Sequence, residues 1–323
     1  PTPAEVRIEY RAVFSDQPPS NPAHDEDPSY GVTASITTRG AFLSGAWYPL
    51  WLEHPARYQV RVETPRGYLA VTSGRRINSE ETAESSITTW RTDYPLRALA
   101  LAAGPYVVSS EPFGDLLIEG YFHPRNQELA APYLAAVRRY LELYQEIFGP
   151  YPFEKYAVVE NFFPTGYGFP GWTLLGGSVI RLPFIVETSL GHEIAHSWWG
   201  SGVVVDRARG NWAEGLTTYV ADHLYKERQS PADAVEYRRN ILRDYATLVD
   251  GPRLRTQRDD LPEHADAVAA GHLDIQDRHG EGLARNGVQR PLAVAHRRDG
   301  KALLLQDGAE GLPERRLVIG QQY

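Results

Sequence analysis

The residues best suited to chemistry in this chain are His192-Glu193-Ile194-Ala195-His196. Two histidines four apart on a helix lie about one turn apart on one face, so both rings can reach a single ion. Glu193, between them, is placed to draw a proton from a water at that ion. Eighteen residues after His196 comes Glu214, in Gly210-Asn211-Trp212-Ala213-Glu214-Gly215-Leu216-Thr217. From a following helix it can supply a third ligand. Three protein ligands leave the fourth position of a tetrahedral zinc open, which is the catalytic arrangement and not the structural one. The alternative is a pair of hydrogen-bonded helix histidines with no ion between them.

Several elements must position these groups. Residues 185–199 read as a helix, because Leu190, Ile194 and Trp198 recur every four residues. Residues 213–228 read as a second amphipathic helix with Asn211 as its cap, which puts Glu214 in the first turn. Upstream, Pro124-Arg125-Asn126 leads into a helical stripe of Leu129, Tyr133, Val137, Tyr140, Leu141, Tyr144 and Phe148, ended by Pro150-Tyr151-Pro152. An apolar run at 156–163 and a glycine-rich segment at 164–177 follow. Residues 178–183 read as a strand, and Ser230-Pro231 opens a helix over 231–249.

Before the helical stripe the pattern is β-like. Runs at 58–62, 68–72 and 86–90 are bounded by Gly, Pro or Asn, which predicts a β-sandwich or open sheet. Trp47 and Trp51 read as packing residues. Residues 1–35 are proline-rich and polar and read as an extended lead-in. The expected organisation is a lead-in over 1–35, a β-rich domain over 36–122, a catalytic domain over 123–250 and an atypical tail over 251–323.

Around the histidines the chain resembles the gluzincin metallopeptidases, specifically the alanyl aminopeptidase-like family. The resemblance rests on residues 192–200, His-Glu-Ile-Ala-His-Ser-Trp-Trp-Gly, and on Asn211-Trp212-Ala213-Glu214-Gly215. It extends to Tyr151-Pro152-Phe153-Glu154-Lys155-Tyr156 and to the segment 164–173, and covers roughly residues 40–250. It implies an α+β fold, with a β-rich domain followed by a thermolysin-like mixed α/β zinc peptidase domain whose end is truncated or non-native. It implies one zinc ion held by His192, His196 and Glu214, with Glu193 as general base and a peptide as substrate. It also makes 178–183 the sheet edge along which an extended peptide would lie.

Three departures from the family pattern carry consequences. His196 and Glu214 stand one residue closer than in most of the family. The stretch Gly166-Tyr167-Gly168-Phe169-Pro170 holds no acid where the family has a glutamate for the substrate's amino terminus, and Glu160 is the nearest substitute. The family's transition-state tyrosine has no matching run. Intact zinc binding with weak or absent turnover is therefore the expectation for the chain as written. Two further readings stay open: a non-catalytic zinc-bearing peptide-binding module, and an endopeptidase on the same fold.

Composition excludes other classes. A net charge of −8 with no basic run argues against nucleic-acid binding. No apolar stretch reaches the length of a membrane span. With no cysteine there are no disulfides, and periplasmic, secreted and cytoplasmic locations all stay open. The chain starts at Pro1 and holds no methionine, so a fragment or processed form is expected. Every aromatic residue but Tyr323 precedes residue 251, and the tail lacks a sustained period. It reads as a frame-shifted continuation in preference to a disordered segment. His223, nine residues after Glu214, reads as structural, the remaining histidines as non-functional, and Glu187 as solvated. Tyr167 reads equally as cleft lining or as core.

Overall fold

The computed structural model describes residues 7–17, 32–45, 47–50, 55–206 and 212–250, with three short strands at 294–296, 302–305 and 317–322. The chain divides into two compact units. One comprises residues 1–134, 153–181 and 276–323, and the other residues 135–152 and 182–275. This division differs from the sequence reading, which started a new domain at 123. The reason is strand pairing. Lys155–Asn161 lies parallel beside Leu116–Phe122, so the two segments share one sheet.

The first unit is built from sheets. A four-stranded sheet runs in the order Ala34–Thr37, Gly40–Leu43, Leu101–Gly104, Leu69–Thr72. A larger sheet holds Arg57–Pro65, Ser85–Arg91 and Arg75–Glu81 as neighbours. Along Arg57–Pro65 the side chains of Tyr58, Val60, Val62 and Thr64 are buried in alternation, as the period of two requires. The lead-in is not wholly irregular: Arg7–Arg11 is a strand of the same sheet. So are Val294–His296, Ala302–Leu305 and Leu317–Gln322, while the remainder of 251–323 lies outside the described residues.

The third sheet runs Gly166–Phe169, Trp172–Gly176, Lys155–Asn161, Leu116–Phe122, Val107–Phe113. Every residue of Lys155–Asn161 is buried, as expected for a central strand with parallel neighbours on both sides. Gly166–Phe169 forms the edge, joined to Trp172–Gly176 by the two-residue turn Pro170-Gly171. Gly171 has φ +83°, which proline before it and glycine at that place accommodate. Residues 178–183 are not a strand. They contain a 3₁₀ turn at Val179–Arg181 and then the proline that opens a helix, and Pro183 has no N–H to give to a sheet. On this side the sheet ends at Gly166–Phe169, in the glycine-rich segment, and at the other side at Val107–Phe113.

The second unit is helical. It contains the C-terminal part of α1 (Ala130–Phe148), α2 (Pro183–Glu187), α3 (Ser189–Ala195), α4 (Trp212–Thr217), α5 (Leu224–Gln229) and α6 (Pro231–Asp250). Ser230 caps α6, its Oγ accepting the Asp233 N–H at 3.0 Å. Tyr140, Tyr144 and Phe148 recur every four residues on α1 and stack along its face. Trp198 meets Tyr144, Phe148 and Tyr151 edge-on, at 5.9, 5.8 and 5.4 Å between ring centroids. Its indole N–H donates to the Gly149 carbonyl at 3.2 Å. This aromatic cluster fixes the chain just beyond His196.

Candidate metal centre

The single helix expected over 185–199 is broken. Thr188, at φ −135° and ψ −82°, separates α2 from α3, and its hydroxyl donates back to the Phe184 carbonyl at 2.7 Å. The α-helix ends at Ala195, where the Ser197 and Trp198 N–H groups reach back only three residues, to Ile194 and Ala195. His192 and His196 still lie one turn apart, because His196 keeps helical backbone angles. Their ring centroids are 4.9 Å apart at 76°. The second helix is also interrupted: α4 passes through a π-turn, Thr218–His223, into α5. Asn211, the expected cap, lies outside the described residues.

Glu214 sits in the first turn of α4 and faces both rings. Its Oε2 lies 3.4 Å from His192 Nε2 and its Oε1 3.2 Å from His196 Nε2, and the two Nε2 atoms are 3.2 Å apart. A tetrahedral zinc with bonds of about 2.0–2.1 Å requires ligand–ligand edges of about 3.3 Å. The two histidine contacts run to different Glu214 oxygens, and one ligand atom from each of the three side chains lies within 4.8 Å of the others, close enough to hold one ion. Glu193, half-buried on α3 between the histidines, contributes its negative charge to the same place.

The outer nitrogens of both rings are engaged. His192 Nδ1 lies 3.0 Å from Asp222 Oδ2. His196 Nδ1 lies 3.0 Å from the Trp199 carbonyl and 3.3 Å from Thr217 Oγ1. Such partners fix ring orientation in metal sites. Burial lowers the pKa of His192, but the carboxylates of Asp222 and Glu214 outweigh it and push it up to about 10. For Glu214 burial acts upward, and the two histidines override it, holding the carboxyl far below the usual range. The pocket thus favours positive charge, which an ion would supply.

No protein-family profile matches the chain. Human Aminopeptidase RNPEPL1 is 26% identical over 230 residues, which is 64% of this chain and 30% of that protein. Human Aminopeptidase B is 26% identical over 215 residues, covering 57% and 29%. An M1 zinc metallopeptidase from Deinococcus radiodurans superposes with a TM-score of 0.53 at 22% identity, over 68% of this chain and 53% of that one. A two-domain M1 zinc metallopeptidase mutant bound to L-arginine gives 0.51 at 20% identity, over 71% and 54%. Over about two thirds of its length the chain thus shares the fold of M1 zinc metallopeptidases, and in sequence it is similar to these two aminopeptidases. It spans about 30% of the length of the curated relatives it matches.

Of the other residues singled out in the sequence, Glu160, Gly166, Tyr167, Gly168 and Trp47 sit in the first unit, and Glu187 and His223 in the second. Glu160 is fully buried within it. It accepts the His123 backbone N–H at 2.8 Å and the Asn126 side-chain N–H at 2.7 Å, while His123 Nδ1 and Arg125 Nη2 lie 3.2 and 3.6 Å away. A carboxylate so occupied tethers the segment before α1 to the sheet. Gly166, Tyr167 and Gly168 form the edge strand. The Tyr167 ring is buried and stacks on Phe42 at 5.6 Å, which resolves its two readings in favour of core. His223 is buried, pairs with Arg238 at 2.5 Å and stacks on Tyr219 at 5.1 Å. Glu187 is exposed and pairs with Arg139 at 3.0 Å. Trp47 is core, donating to the Leu99 carbonyl at 2.6 Å, and Trp51 lies outside the described residues.

The sequence reading did not include Asp222, Thr217 or the Trp199 carbonyl. A carbonyl leaves no side-chain signal. Thr217 and Asp222 lie on the predicted helix, but Asp222 is out of phase with Glu214 in any uninterrupted α-helix.

Proposed function

We propose that this chain carries the zinc-binding and proton-transfer groups of a peptide-bond hydrolase of aminopeptidase type. His192, His196 and Glu214 hold the ion, and Glu193 is the general base. Zinc bound there would supply Lewis acidity to a water and to the scissile carbonyl. The Glu193 carboxylate accepts a proton from the water and returns it to the leaving amine nitrogen. The carrying observation is the convergence of His192, His196 and Glu214, with contacts of 3.2–3.4 Å among their nitrogen and oxygen atoms and an acid on the turn between the histidines.

The names of the relatives support the aminopeptidase assignment. One observation favours an endopeptidase instead: Glu160, the substitute for the missing amine-binding acid, is already saturated by His123 and Asn126. No helix among the described residues is long and apolar enough to cross a membrane. The deciding experiment incubates the zinc-loaded chain with free and N-acetylated peptides, beside a Glu193→Gln control, and reads cleavage by mass spectrometry. Loss of single N-terminal residues from free peptides alone supports the aminopeptidase. Internal cleavage of both sets supports the endopeptidase. Bound zinc without cleavage that depends on Glu193 overturns the hydrolase proposal and leaves a zinc-bearing binding module.

A further inference from the structure

The π-turn between α4 and α5 has no counterpart in the helical pattern of the sequence, and it carries the residue that meets His192 from behind. Each α-helical step turns the chain about 100°, so eight steps from Glu214 would leave Asp222 about 80° round the helix. Bonding from residue i to i+5 admits an extra residue per turn and reduces each step to roughly 80°. Four α steps to Thr218 and four π steps to Asp222 return it to within about 10° of Glu214. The distances agree with that phase. Glu214 Oε2 lies 3.4 Å from Nε2 of His192, and Asp222 Oδ2 lies 3.0 Å from Nδ1 of the same ring.

We infer that the π-turn Thr218–His223 makes Asp222 a positioning residue of the metal centre, holding His192 in the tautomer that presents Nε2 to the ion. The inference rests on the reading of His192, His196 and Glu214 as ligands. A neutral imidazole carries one proton, and a carboxylate at Nδ1 keeps it there, leaving the Nε2 lone pair free. Thr217 serves His196 from the same helix, its Oγ1 being 3.3 Å from Nδ1. One helix thus supplies a ligand and an orienting group for each histidine. Rings held this way do not lose rotational freedom when an ion binds.

The test measures zinc affinity of the metal-stripped chain by competition with a chelating dye, and the visible spectrum of the cobalt form. Asp222→Ala should weaken zinc about 10- to 100-fold. Asp222→Asn, which keeps an acceptor oxygen, should lose less than the alanine variant. Deleting Val220 turns the π-turn into α-helix with Asp222 seven residues after Glu214, about 20° from its phase. That variant should bind zinc within threefold of the parent and keep the parent's cobalt spectrum. His192→Ala and Glu214→Ala are the controls. If both controls lose zinc while Asp222→Ala binds within twofold of the parent, the inference is overturned and the ligand assignment stands. If the controls bind like the parent, the ligand assignment itself is wrong. A Val220 deletion that costs as much as Asp222→Ala, through misfolding or through the centre, overturns the phase argument.

Discussion

Replacing Gly191 with alanine sets helix propensity against packing next to the two histidines. Gly191 lies in α3 immediately before His192 and is buried. A Cβ there would stand 2.6 Å from Tyr225 Oη and 2.8 and 2.9 Å from two ring atoms of Tyr140. Carbon atoms pack comfortably at about 3.5 Å or more, so the helix or the rings must move by roughly 1 Å. Neither ring yields freely: the Tyr140 hydroxyl donates to the Val186 carbonyl at 3.0 Å, and the two rings meet edge-on at 5.3 Å. Propensity alone would make alanine stabilising by about 1 kcal/mol, while overpacking costs about 1–3 kcal/mol. Packing should win, and the melting temperature should fall by a few degrees. A 1 Å displacement also disturbs side chains that meet at 3.2–3.4 Å, so zinc affinity should drop about tenfold or more. Calorimetry and chelator competition on Gly191→Ala read both effects. Adding Tyr225→Phe should restore part of each, because the Tyr225 hydroxyl has no hydrogen-bond partner to lose. An unchanged or raised melting temperature with zinc affinity within twofold of the parent would refute the packing argument.

Other perturbations address the rest of the molecule. Lys155 is buried against Trp90, and burial lowers its pKa to about 8. Between that value and its unfolded value near 10.4 the unfolded chain binds more protons, so this group makes stability rise with pH, by about 3 kcal/mol at most. Denaturant titrations of the parent and Lys155→Met from pH 7.5 to about 9.5 should diverge in slope, and parallel curves would count against the shift. Glu160 also makes stability rise with pH, but in the acid range and as a group that is stabilising at neutral pH. Burial acts upward on its pKa, but bonds from His123 and Asn126 outweigh it and lower it. Its stabilisation is present above the unfolded carboxylate range near 4.3 and is lost as pH falls through the folded value. Glu160→Gln turns a donor toward a donor, should cost about 1–3 kcal/mol at neutral pH, and should lose its deficit in acid. Stripping zinc with a chelator should lower the melting temperature reversibly, by the equivalent of about 2.7 kcal/mol when free zinc had stood at a hundred times its dissociation constant. A melting curve indifferent to zinc would show that the ion does not bind the folded state preferentially.

The pair His192 and His196 and their partner Glu214 were legible because a four-residue spacing and a following amphipathic helix fix geometry locally. The strands at Arg57–Pro65 and Ser85–Arg91 were legible for the same reason, through a period of two. The sheet edge was assigned one segment too late. Ser178-Val179-Ile180 has β-like residues, but Ile180 is buried in a 3₁₀ turn whose carbonyl accepts from Tyr133, a tertiary contact that propensity does not encode. The two-unit division was hidden because parallel pairing of Leu116–Phe122 with Lys155–Asn161 joins segments on either side of α1. Asp222 was hidden because a π-turn changes helical phase without changing composition.

The indoles of Trp199 and Trp212 stand 6.4 Å apart at 72°, on the two sides of the connection between the histidine segment and the helix of Glu214. Two strong chromophores at that distance couple their transition dipoles, so the ring pair is a built-in optical reporter of its own geometry. Circular dichroism can therefore report any change in the spacing of these two rings without a label, and a coloured metal such as cobalt bound near them would draw off their fluorescence in proportion to its occupancy.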